Sequence, residues 1–307
     1  MKKDITETKD KSNIENKKVA AVIVNYNDAN RTINLLKEIV NYESINYVIV
    51  VNNKSTDNSQ ENLESFEHDK YILINAKKNG GYGYGNNIGI KKSDEMDMDY
   101  TLICNPDIYF SENTLIEMMK YLEQDESCAL INAKENYLGN FAWKYTSDLQ
   151  DVLCTSIVFN KFFSKRYYKN SYFENKDVVN VDILQGSFLL VKTDLMLSFG
   201  MYDEEFFLYE EEKVLYKKFH SHGYYSKSVL TESYEHHHID RKYNYVTQFL
   251  TTKQRLIDSK LLFLKKYRNF SSFKLSLSKL FFLLTKFEML LYSLFLISKD
   301  RLGKNNG

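Results

Sequence analysis

The stretch VAAVIVNYNDANRTINLLKEIVNYESINYVIVVNNKSTD, Val19 to Asp57, decides the fold. An apolar run, Val19 to Val24, ends in Asn25-Tyr26-Asn27-Asp28, and an amphipathic segment follows from Ile33 to Val40. A second apolar run, Tyr47 to Val51, then ends in Asn52-Asn53-Lys54-Ser55 and leads into Ser59 to Phe66. Short unbroken apolar runs alternating with amphipathic segments read as buried parallel strands covered by helices. Tyr71 to Ile74 and Tyr100 to Cys104 continue the rhythm, so an α/β fold is expected, with a mostly parallel, Rossmann-like sheet flanked by helices. Ligands of open α/β sheets bind beyond the carboxyl ends of the strands. Each run here ends in small polar residues, which places the expected site along that edge.

The whole chain fits this reading. Its 307 residues, 43% apolar, are enough to bury a large core. Forty-one basic residues balance forty-one acidic ones, so no nucleic-acid partner is expected. Cys104, Cys128 and Cys154 are scattered, odd in number and without a CxxC pair, which fits a reducing, cytoplasmic compartment. Met1 to Lys18 is polar, lacks an apolar signal core and reads as a loose arm at 1–18.

Five of the eleven glycines lie between Gly80 and Gly89, and the one proline is Pro106. The run Asn79-Gly80-Gly81-Tyr82-Gly83-Tyr84-Gly85-Asn86-Asn87-Ile88-Gly89 lacks GxGxxG and follows the third strand, which excludes a dinucleotide fingerprint. It reads either as a tight connection or as a loop that brings backbone N–H groups to a phosphate at a helix start. Asn52 to Ser59 caps a helix through Ser55 and Asp57, or offers Asn52 to a pyrimidine base. Asn105-Pro106-Asp107 is a turn whose carboxylate, oriented by a rigid proline, can hold a divalent cation on a diphosphate.

Downstream, Phe159 to Phe173 is aromatic and basic and reads as a loop or lid, and Gly186 to Val191 as a strand. The acidic run Glu204, Glu205, Glu210, Glu211 and Glu212 is a solvated helix face or, because Phe206, Phe207, Leu208 and Tyr209 interleave it, a carboxylate on an apolar wall suited to a general base. His236-His237-His238 is a polar strand end or, since a strand would point His236 and His238 to one side, a source of one imidazole for a cation on Asp107. From Phe270 to Ile297 the chain is mostly apolar, and Leu280, Leu283, Leu284, Phe287, Leu290, Leu291, Leu294 and Phe295 share a helical face. Interrupted by Lys286 and Glu288, this segment is expected not to cross a bilayer but to lie on a membrane or against a partner, or else to pack as a helical pair on the rest of the chain.

Taken in order, Val24-Asn25-Tyr26-Asn27, Asn52 to Asp57, the glycine run, Asn105-Pro106-Asp107, Gly186-Ser187-Phe188, Phe206 to Tyr209 with Glu211-Glu212, and the histidine run resemble family 2 glycosyltransferases of GT-A fold, in particular bacterial rhamnosyltransferase-like enzymes. The resemblance spans Val19 to His238. It implies a GT-A domain over 19–245 and a helical C-terminal region over 246–307. It further implies a nucleotide-sugar donor bound by Asn25, Asn27, Asn52, Asn53, Ser55, Asn79, Gly80, Gly81, Tyr82, Gly83, Asn86, Asn87, Asn105 and Asp107. Mg2+ or Mn2+ would be held by Asp107 with His236 or His238, and the base would be Glu212, with Glu211 as the competitor. Three departures stand out: Asn52 replaces a usual Asp, Asp107 is a single carboxylate where many members have two, and Glu211-Glu212 replaces Glu-Asp, with Val214 in place of a further Asp.

The implied activity is inverting transfer of a sugar from a UDP- or dTDP-linked donor to a hydroxyl of a bacterial surface glycan or lipid-linked oligosaccharide. It would take place in the cytoplasm, at the inner face of the cell membrane if the C-terminal helices touch lipid. The alternative is a non-catalytic sugar-nucleotide or glycan-binding relative. A nucleotidyltransferase would need a glycine-rich loop after the first strand, where Asn25-Tyr26-Asn27-Asp28 stands.

Overall fold

Val19–Asn25 (β1), Ala29–Ile39 (α1) and Tyr47–Asn52 (β2) form the βαβ unit that the opening pattern predicts. The computed structural model describes residues 16–136, 141–162, 167–237 and 245–304, so most of the expected arm at 1–18 lies outside the described residues. Helix α1 turns Ala29, Thr32, Leu35, Leu36 and Ile39 inward, the i, i+3, i+4 spacing of one helical face. The chain continues through Ser59–Glu64 (α2), Tyr71–Asn75 (β3), Tyr82–Glu95 (α3), Tyr100–Cys104 (β4), Ile108–Phe110 (β5), Glu112–Glu123 (α4) and Cys128–Glu135 (β6). Next come Ala142–Trp143 (β7), Asp148–Leu153 (α5), Ile157–Phe162 (α6), Val178–Val181 (β8), Ile183–Leu184 (β9) and Phe188–Lys192 (β10). Glu211–His220 (α7), Tyr225–His236 (β11), Tyr245–Lys266 (α8) and Ser272–Lys304 (α9) complete it.

The main sheet runs β3-β2-β1-β4-β10-β6-β11-β5, with β8 paired to β11. Its first four strands are parallel, as expected. Beyond them β10 runs antiparallel to both β4 and β6, β11 is parallel to β6, and β5 and β8 pair antiparallel with β11. Strands β1, β2 and β4 are buried almost throughout, which explains why they read as unbroken apolar runs.

Packing divides the chain into two units. The first holds the sheet and draws on the chain up to Lys144, Tyr167–Glu205 and Glu211–His238; the second combines Tyr145–Arg166, Phe206–Glu210 and the chain from Ile239 onward. The second unit therefore is not a simple C-terminal extension. Asp151 anchors it, being fully buried and bonded by Arg268 at 2.7 Å. Lys260 reaches both Asp151 and Glu210, at 3.8 and 2.6 Å.

The aromatic segment expected as a loop or lid begins as a helix and continues, from residue 167, as an irregular stretch with one short helical turn. Ile157–Phe162 is helical, and the partly buried Tyr168, Tyr172 and Phe173 pack on one another, Phe173 also on Phe141, against the core of the first unit. Large rings with mutual edge and face contacts are a packing device.

Candidate active site

Strand register lines up three asparagines at the carboxyl edge, Asn25 opposite Asn52 and Asn52 opposite Asn75. Asn52 donates to Asn75 Oδ1 at 2.9 Å and accepts from the Ser55 N–H at 3.3 Å. These two bonds orient the amide and leave its second N–H and second oxygen lone pair for a base. Asn25 donates to Ser55 Oγ at 3.1 Å and accepts from Thr32 at 2.9 Å, while the Asn27 N–H donates to Ser55 Oγ at 3.0 Å. Asn27 also exchanges bonds with Thr56, accepting its N–H at 2.7 Å. Asn27 and Lys54 have φ of 55° and 59°, the left-handed turn geometry that asparagine tolerates better than most residues. The two strand ends are thus cross-tied into one rigid rim.

The glycine run divides by role. Gly80 and Gly81 precede α3, and Gly81, with φ of 91°, makes the turn into the helix. Asn53 steadies that turn by donating to Asn79 Oδ1 and to Gly81 O, at 3.2 and 2.9 Å. Gly83, Gly85 and Gly89 lie inside α3, where a Cβ would come within 2.8 Å of Tyr202, 2.7 Å of Val24 and 2.2 Å of Val22. Gly85 and Gly89 let α3 pack closely on β1 and Gly83 makes room for Tyr202, so only the Gly80-Gly81 end leads to the first N–H groups of α3, where an anion would bind. Asn86 bonds the Tyr82 carbonyl at 3.1 Å. Asn87 brackets the backbone of Tyr202, donating to its carbonyl and accepting from its N–H at 2.9 Å each.

Asp107 and His236 meet because β5 pairs with β11, Ile108 opposite His236. Asp107 Oδ1 lies 3.2 Å from His236 Nε2, and Oδ2 lies 3.5 Å from the Arg31 guanidinium. Burial on its own would raise the Asp107 carboxyl, but the hydrogen bond and charge of His236, with Arg31, outweigh it and hold the group below the ordinary carboxylate value. Gln185 Nε2 faces His236 Nδ1 at 3.3 Å, an arrangement that puts the ring proton on Nε2, toward Asp107. A half-turn of that amide offers its oxygen to Nδ1–H and leaves Nε2 as a lone-pair donor. Asn105, in the same turn, ties its N–H to Ser187 O at 2.9 Å. His237 points away, pairing with Glu235 at 2.7 Å and stacking on Tyr109. His238 lies outside the described residues.

Glu211 and Glu212 open α7. Glu211 is buried at 6% exposure, whereas Glu212 is half-buried and sits against Gly186, whose added Cβ would lie 3.0 Å from Glu212 Oε1. Tyr82 donates to the Gly186 carbonyl at 2.7 Å and packs edge-on against Tyr202. Burial, then neighbouring phenol and carboxylate charge, pushes the Tyr82 hydroxyl well above its ordinary value, and burial followed by Glu212 and Glu211 does the same for Tyr202. Tyr209 and Glu210, just before this pair, both have positive φ, 77° and 72°. Two successive non-glycine residues held there cost roughly 1–3 kcal/mol each, so the approach to α7 is strained.

The model of glycosyl transferase family 2 matches residues 20–192, more than half the chain. This protein belongs to glycosyl transferase family 2. An uncharacterized glycosyltransferase of Rickettsia bellii is 34% identical over 109 residues, 35% of this chain and 15% of that protein. The low-salt glycan biosynthesis hexosyltransferase Agl10 of Haloferax volcanii is 25% identical over 195 residues, 63% of this chain and 59% of its own. The chain therefore spans well under two thirds of either relative. Among solved structures, the mannosyltransferase PcManGT of Pyrobaculum calidifontis, in complex with GDP-Man and Mn2+, superimposes with a TM-score of 0.55 at 15% identity, over 92% of this chain and 75% of that one. GalNAc-T7 with UDP, GalNAc and Mn2+ gives 0.56 at 9% identity, over 73% and 44%. These two likenesses establish the GT-A fold.

For a family 2 glycosyltransferase, the Asp107–His236 pair suits a divalent cation. A hard carboxylate oxygen and an imidazole nitrogen 3.2 Å apart supply two adjacent donors, and Mg2+ or Mn2+ commonly takes its other ligands from phosphate and water. Among the described residues no third His, Cys, Asp or Glu joins them. Two contributors were not apparent in the sequence, Arg31, which gives no signal as a lone cation on a helix, and Gln185 beside Gly186; Tyr82 was expected at the donor site, but not its pairing with Tyr202, 120 residues away.

Proposed function

We propose that the protein is an inverting hexosyltransferase acting on a UDP- or dTDP-linked sugar, with Glu212 as base and a hydroxyl of a bacterial surface glycan or lipid-linked oligosaccharide as acceptor. Rhamnosyl donors fall within this class. The observation that carries the reading is Gly186, which touches both the Glu212 carboxylate and, through its carbonyl, Tyr82 at the start of the helix that follows Gly81. A base and a phosphate-facing helix start thereby share one point of support.

On this reading Glu212 removes the acceptor proton as its oxygen attacks the anomeric carbon from the side opposite the diphosphate. A single displacement inverts the configuration and needs no protein nucleophile. Asp107 and His236 would hold the divalent cation, which neutralises charge developing on the departing diphosphate. The first N–H groups of α3 would add fixed positive dipole to the phosphate they face. Support for a nucleotide-sugar donor comes from the family, and for the metal from the Mn2+ in both superimposed glycosyltransferases.

The test is thermal stabilisation of the full chain by a panel of UDP-, dTDP- and GDP-sugars with and without Mn2+, followed by turnover with glycan acceptors. A cognate donor at 100 times its Kd adds about 2.7 kcal/mol. Stabilisation that needs Mn2+, together with product of inverted anomeric configuration, is the expected result. Donor binding without transfer to any acceptor would favour the non-catalytic alternative.

A further inference from the structure

Helix α9 is built inside out for a soluble helix. The residues it buries include Ser278, Thr285 and Ser293 with Phe282, whereas Phe273, Leu277, Leu280, Leu284, Phe287 and Leu291 stand exposed, Phe273 at 72%, Leu284 at 62% and Phe287 at 60%. Leu283, also exposed, widens the stripe to about 120° at 100° per residue, broader than a coiled-coil seam, and Phe295 lengthens it.

The face has a neighbour of the same character. Glu288 accepts the backbone N–H groups of Ile157 and Val158 at 3.0 and 2.8 Å, and Phe281 meets the Phe159 ring at 5.9 Å, which fixes α6 on α9. Helix α6 adds exposed Val158 and Phe162, with Lys161 between them.

Charge selects the occupant. Between Ser272 and Phe295 the only acid is Glu288, which is committed to α6, while Lys274 and Lys279 are exposed along the two borders of the apolar stripe. A second copy of this face would set lysine against lysine, with no acid other than the committed Glu288 between Ser272 and Phe295 to match. A sheet of anionic headgroups over an apolar layer complements both features. No helix among the described residues is long and apolar enough to cross a membrane, and the inward side of α9 is already packed.

We propose that α9, with α6 beside it, docks the protein on a bilayer that carries anionic lipid, lying in the headgroup plane with its Leu/Phe stripe inserted. This rests on the second unit alone and not on the donor chemistry.

Flotation of the full chain with vesicles containing phosphatidylglycerol, and with vesicles of phosphatidylcholine alone, tests it. The protein should float with the first, lose affinity as salt rises, and float poorly with the second. Lys274→Gln and Lys279→Gln should each weaken binding roughly fivefold. Leu284→Glu/Phe287→Glu should abolish flotation while circular dichroism and transfer to a soluble acceptor stay unchanged, because both side chains point to solvent. Wild-type protein that stays at the bottom with anionic vesicles, or flotation that survives the double substitution, overturns the proposal. A concentration-dependent dimer in sedimentation equilibrium, broken by that double variant, assigns the face to a second copy instead.

Discussion

Glu212 leans on Gly186: a Cβ built on that glycine would lie 3.0 Å from Oε1 and 3.3 Å from Cγ of the glutamate. The far end of a flexible side chain can retreat, so Gly186→Ala should fold normally while displacing the carboxylate. Transfer is expected to fall at least tenfold with unchanged donor affinity, and Glu212→Gln to fall by about 100-fold to 10,000-fold. Glu211→Gln, at a buried position, should retain at least a tenth of the activity as a rough bound and lose stability instead. Steady-state kinetics beside donor titrations check all three; the opposite ranking of the two glutamines would make Glu211 the base.

Asp107→Asn keeps the shape of the turn and removes the charge that His236 and Arg31 face. The Mn2+-dependent part of donor stabilisation should vanish, measured as the difference between melts in Mn2+ and in EDTA. Undiminished wild-type turnover in excess EDTA would contradict a role for the cation.

Gly89→Ala tests the packing role of the glycine run. Its Cβ would come within 2.2 Å of Val22 Cγ1 in the core of the sheet. Overpacking of this kind costs about 1–3 kcal/mol, and Val22→Ala in the same chain should restore part of the loss. Chemical denaturation of the single and double variants measures it.

Acid stability should report Asp125. Burial works to raise this carboxyl, but the 2.6 Å pair with Lys227 and the bond from the Tyr225 hydroxyl win, and it lies below its ordinary value of 3.8. A lowered carboxylate contributes stability in full above its unfolded value and loses it as pH falls through its folded one. The Tm gap between wild type and Asp125→Asn is therefore expected to be widest near neutrality and to close below pH 3.8, as thermal melts across pH will show.

The parallel half of the sheet was legible because β1, β2, β3 and β4 are short apolar runs with polar ends, a local signal. Asp107 and His236 were legible as chemical types at strand ends. What periodicity does not carry is direction and partner: nothing in Phe188–Lys192 states that it runs antiparallel to β4, and nothing in Gly83 or Gly89 names Tyr202 or Val22 as its neighbour. Tyr168 and Tyr172 lacked a repeat and read as loop, yet they stack with ring centroids 4.8 Å apart. The stripe on α9 was visible as a face, but amphipathicity by itself does not say whether the apolar side is turned inward or outward.

The reversed strand β10 also sets an order of events on the ribosome. Strand β4 ends at Cys104, and the partner for its open edge starts only at Phe188. Until that later segment has been made, a nascent chain carries β1 to β4 with the buried-to-be edge of β4 unpaired, the kind of surface that recruits other chains. Translational pausing or truncation between these points is thus the window in which this protein is most prone to aggregate, and a fragment ending before β10 should be insoluble where one ending after Lys192 gains solubility.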